Sequence, residues 1–263
     1  MAEALLQVRE LSIRHQSSPT LALENVSFDL KTGETVGLLG ESGAGKTTLA
    51  RALIRLLPAG CRILGGSVRL RETEVLEANE RQLQSIRGAQ ISVIFQEPEL
   101  VLNPVMRVGE QIEEVLRVHS PWGKRRRKEE ARCMLAEVGL SGPHIYSAYP
   151  HQLSGGQRQR VAIAQGLVAK PSVLIADEPT SALDTVTQAE ALQLLKTLKE
   201  RLRLTLLFIT HNPALLTGFA ERVIVMHAGR IVESGSLGQI WCKPSHPYTE
   251  ALVKATLSFG THA

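Results

Sequence analysis

The sequence predicts an α/β fold with a parallel sheet at its centre, and three observations support this. The apolar runs Thr35–Leu39 and Val173–Asp177 are continuous, as in strands that are buried on both faces of a parallel sheet. Segments between such runs show helical periodicity, for example residues 49–57, which end before Pro58. Hydrophobic residues make up 43% of the 263 residues and aromatic residues only 4%, so we expect an aliphatic core large enough for one domain, with or without an insertion.

Charge, hydropathy and cysteine content restrict the class of protein. The formal net charge of +4 permits a nucleic-acid or membrane-surface partner without favouring either. No stretch approaches the roughly 18 consecutive apolar residues of a membrane span, and the residues from Met1 onward lack a basic-then-apolar signal pattern. Cys61, Cys133 and Cys242 are widely separated and lack metal-ligand spacing, so we expect free thiols in a reducing compartment.

The elements follow in order along the chain. Val26, Phe28 and Leu30 alternate with polar residues, which predicts a half-exposed strand before Thr35–Leu39. After a strand at residues 91–95 the sequence becomes polar and helical. The basic run at residues 124–128 starts one of these helices, and a solvated helix face is favoured over contact with anionic lipid. The remaining predicted elements are helices at Val108–His119 and at residues 124–138 and 187–202, and strands at Val173–Asp177 and at residues 204–210, 223–226 and 231–233.

A glycine-rich loop between the strand Thr35–Leu39 and the next helix is the first chemical signal. Its glycines let the backbone turn tightly and present successive N–H groups to phosphate oxygens. Lys46 is placed to reach the β- and γ-phosphates of a nucleotide, and the Thr47 hydroxyl to ligate Mg²⁺. The strand, loop and helix provide the context that this motif requires. The residues of the predicted phosphate site are Gly40, Glu41, Ser42, Gly43, Ala44, Gly45, Lys46, Thr47 and Thr48.

An acidic pair, Asp177 and Glu178, stands at the end of the strand Val173–Asp177. A carboxylate there faces the C-terminal edge of the sheet, where we expect Asp177 to ligate Mg²⁺. Glu178 is placed to polarise an attacking water, in preference to being an ordinary surface carboxylate. Phosphoryl transfer needs mainly positioning and charge neutralisation, and this pair supplies both.

A third motif, Leu153-Ser154-Gly155-Gly156-Gln157, precedes the acidic pair. Ser154 followed by two glycines opens a helix, and the N–H groups at the start of a helix bind anions. The alternative is a flexible turn with an ordinary helix cap. The fixed order of the three motifs favours a nucleotide site that two subunits complete together.

These motifs resemble the nucleotide-binding subunits of ATP-binding cassette (ABC) transporters, and the resemblance covers nearly the whole chain. It implies a P-loop NTPase core with a parallel sheet, an N-terminal antiparallel β portion and an inserted helical subdomain. The core would comprise residues 1–96 and 166–240, the helical signature subdomain residues 97–165, and a C-terminal segment residues 241–263. ATP and Mg²⁺ are the implied cofactors, with ATP held between two head-to-tail subunits.

The resemblance also assigns roles to single residues. Lys46, Glu178 and His211 would be catalytic, His211 as the switch histidine that holds the γ-phosphate and Glu178. Gln96 matches the glutamine that senses Mg²⁺ and water, so the implied metal ligands are Thr47, Gln96 and Asp177. The partner's γ-phosphate would be contacted by Ser154, Gly155, Gly156 and Gln157.

One segment and two departures from the family pattern complete this assignment. Residues 181–184 match the family's D-loop, which crosses the dimer interface. His15 aligns near the aromatic residue that stacks on adenine, and an imidazole stacks less extensively than Tyr or Phe. Asn212 follows the switch histidine where Asp is more usual.

Two segments narrow the resemblance to ATPases that import dipeptides, oligopeptides or nickel. They are residues 102–112, after the Q-loop, and residues 243–252, which contain His246-Pro247-Tyr248-Thr249. The resemblance implies a peripheral subunit on the cytoplasmic face of the inner membrane that works with separate permease subunits and, indirectly, an extracytoplasmic solute-binding protein. Many members continue into a cysteine-bearing extension, so the end at Ala263 favours a heterodimer with a second ATPase subunit over a homodimer.

Two other functions are weighed against the importer. A soluble ABC ATPase that acts on nucleic acid or ribosomes typically carries two cassettes or a long coiled-coil insertion, and this sequence has neither. An ABC exporter domain usually brings its own membrane spans or lacks the HPYT segment. We therefore expect no nucleic-acid partner. The residues leave the solute open among dipeptide, oligopeptide, nickel and other solutes.

Overall fold

A computed structural model of the chain describes residues 4–16, 18–97 and 101–260, with side chains up to residue 255. The chain divides into two compact units, one formed by Met1–Leu83 with Thr205–Ala263 and the other by Gln84–Leu204. Met1 and Ala263, on which the expectations about a signal segment and a short C-terminus rest, lie outside the described residues.

Runs of strands and runs of α-helices follow one another along the described chain. The strands β1 to β10 are Ala4–His15, Leu21–Lys31, Thr35–Leu39, Cys61–Leu70, Thr73–Glu74, Ile91–Ile94, Val173–Asp177, Thr205–Thr210, Arg222–His227 and Arg230–Ser236. The helices α1 to α9 are Lys46–Ala52, Glu80–Ile86, Val108–His119, Lys124–Glu137, Pro143–Ser147, Gly155–Leu167, Thr185–Leu202, Leu237–Cys242 and Pro247–Gly260. The predicted α/β class is confirmed.

An antiparallel sheet forms the N-terminal part of the first unit, in the strand order β2-β1-β4-β5. Val8 of β1 pairs with Phe28 and, on the other side, with Val68. The register shifts by one residue between Val8 and Leu11, and Glu10 inside this bulge has a φ of 49°. The extra residue keeps the apolar side chains of β1 buried on both sides of the bulge.

The second sheet segment of this unit has the order β10-β9-β3-β8. All five residues of β3 are buried, and β3 runs parallel to both β8 and β9. Leu39, the last residue of β3, is level with Thr210 and Val225. A two-residue turn at Ala228 and Gly229, both with positive φ, joins β9 to β10 as a hairpin.

The helical periodicity at residues 49–57 extends past the end of the helix that forms. The helix α1 begins at Lys46, directly after the glycine loop, and ends at Ala52. Arg55 has a φ of 51°, a left-handed conformation that does not continue a right-handed helix. Apolar spacing alone did not reveal this break.

The second unit contains the parallel pair β6 and β7, in which Ile91 is level with Val173 and Ile94 with Ala176. Its helices α3 to α7 span residues 108–202. Helix α3 has the predicted bounds, and α4 ends one residue before its predicted end. The basic run that starts α4 is mostly exposed, and Arg126 lies over the Trp122 ring at 4.6 Å.

No described helix has both the length and the hydropathy that crossing a membrane requires.

Candidate functional site

The loop that follows β3 is built against backbone atoms of its own unit. A Cβ on Gly40 would lie 2.4 Å from the Met226 carbonyl oxygen, so no side chain fits there. Gly45 has a φ of 99° and a Cβ on it would lie 2.6 Å from the Ala22 carbonyl oxygen. The N–H of Gly229 donates to the Ala44 carbonyl at 3.1 Å. Strand β2 and the β9–β10 hairpin therefore fix the shape of the loop.

Lys46 folds back over this loop. Its Nζ donates to the carbonyl oxygens of Gly40 and Glu41, both at 2.8 Å, and the residue is only 5% exposed. Ser42, Gly43 and Thr47 are exposed on the same loop. A buried ammonium group next to exposed backbone and a hydroxyl can receive a polyanion from solvent.

His211 lies beside the start of the loop. Leu39 and Thr210 are level on adjacent parallel strands and are the last residues of those strands. The residues that follow them, Gly40 and His211, therefore lie at the same edge of the sheet. The His211 residue is exposed. The N–H of Asn212 donates to the Thr210 hydroxyl, and the Asn212 side chain accepts from the Ala214 N–H, each at 3.0 Å. An aspartate could accept the same bond, so Asn212 keeps the turn that the family's usual residue would form.

His15 ends β1 in the same unit, level with Cys61 on β4. It is partly exposed, and a Cβ on Gly60 would lie 3.5 Å from its Nε2. The glycine therefore leaves room beside the imidazole. Contact with adenine stays a prediction.

The acidic pair lies at the end of β7 in the second unit. Asp177 is 3% exposed, whereas Glu178 is partly exposed and has a φ of 48°. A left-handed conformation costs a residue with a Cβ about 1 kcal/mol, and such strain concentrates at functional sites. The Glu178 carbonyl accepts from the Ser181 N–H at 3.3 Å and from the Ser181 hydroxyl at 3.1 Å. These bonds hold the unusual backbone conformation.

Gln96 is placed at the same edge of this parallel pair. Ile94 and Ala176 are level, so the chain leaves β6 and β7 side by side. Strand β6 ends at Ile94 rather than at the predicted residue 95, and Gln96 is exposed two residues later. The structure therefore brings Gln96 and the acidic pair to one edge.

The glycine motif opens helix α6, as predicted. Ser154 is the N-cap: its hydroxyl oxygen accepts from the Gln157 N–H at 3.3 Å, and the Gln157 side chain accepts from the Ser154 N–H at 2.9 Å. A Cβ on Gly156 would lie 2.6 Å from Cγ2 of Thr187. The motif is thus packed against the start of helix α7 through a glycine.

The predicted D-loop leads into the same helix start. Asp184 caps α7 by accepting from the N–H groups of Val186 at 3.1 Å and Thr187 at 3.0 Å. Hydrogen bonds from Thr187, the side chain foremost, lower the pKa of Asp184. Gln188 donates through Nε2 to the Thr180 carbonyl at 3.2 Å and to its hydroxyl at 3.1 Å. The sequence analysis did not single out Thr187 and Gln188, because only their contacts in the folded structure connect them with these motifs.

The thiols and acidic groups form no metal cage among the residues described. No group of three or more His, Cys, Asp or Glu side chains is arranged there to hold an ion. Cys61, Cys133 and Cys242 are free. Any cation at the candidate site would need a ligand such as phosphate to complete its coordination.

Known proteins resemble this chain in sequence. A profile described as ABC transporter matches residues 23–181. Glutathione import ATP-binding protein GsiA of Salmonella typhimurium is 44% identical over 257 residues, which cover 95% of this chain and 41% of that protein. The chain thus spans less than half the length of that relative. Probable peptide ABC transporter ATP-binding protein y4tR of Sinorhizobium fredii is 43% identical over 258 residues, covering 97% of this chain and 77% of that protein.

Solved structures agree with the sequence relatives. The dimeric post-hydrolysis state of the ATP-binding cassette MJ0796, bound to ADP and Pi, is 30% identical with a TM-score of 0.78, covering 88% of this chain and 98% of that one. The cbiO1 protein of Clostridium perfringens, part of the ABC transporter complex cbiONQ, is 27% identical with a TM-score of 0.79. The match covers 98% of this chain and 97% of that one. The predicted P-loop NTPase fold is confirmed. The sequence profile, the relatives and the fold agree that the chain belongs to the ABC transporter family.

Proposed function

We propose that this chain binds and hydrolyses ATP to power an ABC importer of peptides. The observation that carries the proposal is the glycine loop, where the carbonyl oxygens of Gly40 and Glu41 hold the buried Lys46 ammonium group beside exposed backbone, because such a group can bind a polyanion. Relatives named for glutathione import and peptide transport support peptides as the solute. Nickel is the alternative that the sequence left open.

Mg²⁺ is the cofactor that the donor chemistry fits. Thr47 offers an exposed hydroxyl, Asp177 a carboxylate and Gln96 an exposed amide oxygen. These are hard oxygen ligands, which Mg²⁺ prefers, and the ion usually keeps phosphate and water as further ligands. When bound, Mg²⁺ would neutralise charge on the nucleotide phosphates.

The remaining roles belong to the chain's own residues. The loop N–H groups bind phosphate oxygens, and Lys46 reaches the β- and γ-phosphates while its bond to the Gly40 carbonyl orients the ammonium group. Glu178 orients and polarises the attacking water. His211 holds the γ-phosphate and Glu178. Hydrolysis then depends on positioning and charge stabilisation, as phosphoryl transfer generally does.

A second ATPase subunit completes the site in this proposal. Ser154, Gly155, Gly156 and Gln157 act on the nucleotide bound by the partner, and the partner's motif acts on the nucleotide bound here. The dimeric cassette bound to ADP and Pi supports this arrangement at 30% identity.

The domain boundaries belong to the same proposal. Residues 1–96 and 166–240 form the nucleotide-binding core, residues 97–165 the helical signature subdomain and residues 241–263 the C-terminal segment. Permease subunits dock on the chain at the cytoplasmic face of the inner membrane. A solute-binding protein outside the membrane delivers the peptide to the permeases.

The experiment that tests the importer is affinity purification of the chain from gently solubilised membranes of its native cell, followed by identification of the co-purifying proteins. Two permease subunits and an ATPase subunit are expected, and permeases that carry peptide would support the solute class. A chain recovered only in the soluble fraction with ribosomes or DNA would overturn the importer and leave a soluble ABC ATPase.

A further inference from the structure

The HPYT segment is tied to the first unit by one carboxylate. Glu233 on β10 accepts from the Ser245 N–H and the Ser245 hydroxyl, both at 2.8 Å, and from the His246 N–H at 3.1 Å. Burial opposes ionisation of Glu233, but the hydrogen bonds from Ser245 and His246 outweigh it, and the pKa of Glu233 is lowered to about 2. The carboxylate is therefore charged throughout the physiological pH range, and it anchors the segment there.

This anchor places Tyr248 against the phosphate loop. The Tyr248 N–H donates to His246 Nδ1 at 3.2 Å, and its ring packs on the His227 ring with centroids 4.0 Å apart. The hydroxyl oxygen accepts from the Glu41 N–H at 3.0 Å. Burial raises the pKa of Tyr248, so the hydroxyl stays neutral at physiological pH.

The peptide group between Gly40 and Glu41 is consequently held at both ends. Its N–H donates to Tyr248, and its carbonyl accepts from Lys46 Nζ at 2.8 Å. A peptide group is rigid and planar, so a bond that fixes the N–H direction also fixes the carbonyl direction. Hydrogen bonds in series also polarise one another. The contact of Gly40 with the Met226 carbonyl limits any shift of the loop as a whole.

We propose that Tyr248 is a positioning residue for Lys46, acting through the Gly40–Glu41 peptide, and that the HPYT segment thereby sets the affinity of the loop for nucleotide phosphates. This inference rests on the proposed ATP site at residues 40–48. It assigns a physical role to a segment that the ATPase mechanism does not use.

The test is Tyr248→Phe, which keeps the ring on His227 and removes the hydroxyl acceptor. A net hydrogen bond is worth about 1 kcal/mol, so the Kd and KM for ATP are expected to rise about fivefold. At saturating ATP, kcat is expected to stay within about twofold of wild type, because the lost interaction prepares the loop for binding. The Kd for AMP is expected to stay unchanged, since Lys46 serves the β- and γ-phosphates.

Three further variants separate the outcomes. Tyr149→Phe is the matched control, because the Tyr149 ring stacks on His151 in the other unit. Glu233→Gln weakens the anchor by a second route and is expected to raise the KM for ATP as well. Lys46→Ala tests the proposed phosphate site itself and is expected to abolish tight ATP binding.

These variants distinguish failure of the proposed ATP site from failure of the role of Tyr248. Failure of the wild type to bind ATP, or normal binding by Lys46→Ala, would overturn the proposed ATP site. Loss of binding in Lys46→Ala together with an unchanged KM in Tyr248→Phe would overturn the role of Tyr248 alone. Equal losses of ATP and AMP affinity in Tyr248→Phe would also overturn it, since a general disturbance of the fold would produce that pattern.

Discussion

Gly156→Ala offers a sharp test of how the glycine motif is packed. The added Cβ would lie 2.6 Å from Cγ2 of Thr187, about 1 Å closer than ordinary van der Waals contact between carbon atoms allows. Thr187 cannot easily turn away, because a β-branched side chain is stiff at χ1 and the Thr187 side chain is hydrogen-bonded to Asp184. The methyl group therefore forces strain on the start of helix α7.

The expected change in the free energy of unfolding of Gly156→Ala follows from two opposing effects. Overpacking by one methyl group costs about 1–3 kcal/mol, and replacing glycine by alanine inside a helix returns up to about 1 kcal/mol. A net loss of about 1–2 kcal/mol in the free energy of unfolding is expected. For a chain of this size, it corresponds to a fall of roughly 2–8 °C in Tm. Thermal or urea unfolding measures the change directly.

The chain contains a matched control for this substitution. Gly238 is also the second residue of a helix, behind the N-cap Ser236 and before Gln239, which together form the same capping box as Ser154 and Gln157. A Cβ on Gly238 would meet nothing within 4 Å. Gly238→Ala is therefore expected to leave Tm unchanged or raise it slightly, because alanine favours the helix.

A double mutant provides the refutation. Thr187→Ser removes Cγ2 and keeps the hydroxyl, so in the Gly156→Ala background it is expected to restore at least about half of the lost stability. Equal stabilities of Gly156→Ala and Gly238→Ala, or no rescue by Thr187→Ser, would refute the packing described here.

The other two stability and activity predictions concern Asn212 and Glu233. Asn212→Asp keeps the acceptor for the Ala214 N–H, so ATP turnover is expected to stay within about twofold of wild type, and a larger loss would show that the amide itself matters. The pKa of Glu233 lies below its ordinary value, so its contribution to stability is complete above about pH 4.5 and is lost as pH falls toward about 2. Urea unfolding of wild type and Glu233→Gln should therefore differ most near neutrality and converge in acid; a difference that does not narrow would contradict the role of the charge.

Hydrophobic patterning was sufficient for the buried parallel strands and for the alternation in β2, and it missed β1 and β4 of the N-terminal sheet. Thr35–Leu39 and Val173–Asp177 have the predicted bounds because strands covered on both faces are continuously apolar. Strand β1 was not predicted, because the bulge at Glu10 shifts its apolar alternation by one residue. In β4, Gly65 and Gly66 interrupt the pattern in the same way. The bulge in β1 and the glycine pair in β4 both depend on pairing with neighbouring strands.

In the candidate site, too, the sequence predicted some features and not others. Motif spacing placed Lys46, Asp177 and Ser154 at the ends of the elements that carry them, because loop chemistry is local in sequence. The left-handed backbone of Glu178 and the bond from Glu41 to Tyr248 were not predictable in this way. The second of these joins residues that lie 207 positions apart in the chain, so only the folded structure reveals it.

ATP turnover by Glu178→Gln tests the central claim most directly. The substitution keeps the size of the side chain and removes the carboxylate that is proposed to polarise water. Removing a general base typically costs a factor of about 10²–10⁴ in turnover, so a loss of at least about 100-fold with ATP binding retained is expected. Glu114→Gln on the exposed face of α3 is the control and should hydrolyse ATP like wild type. Normal turnover by Glu178→Gln would contradict the account.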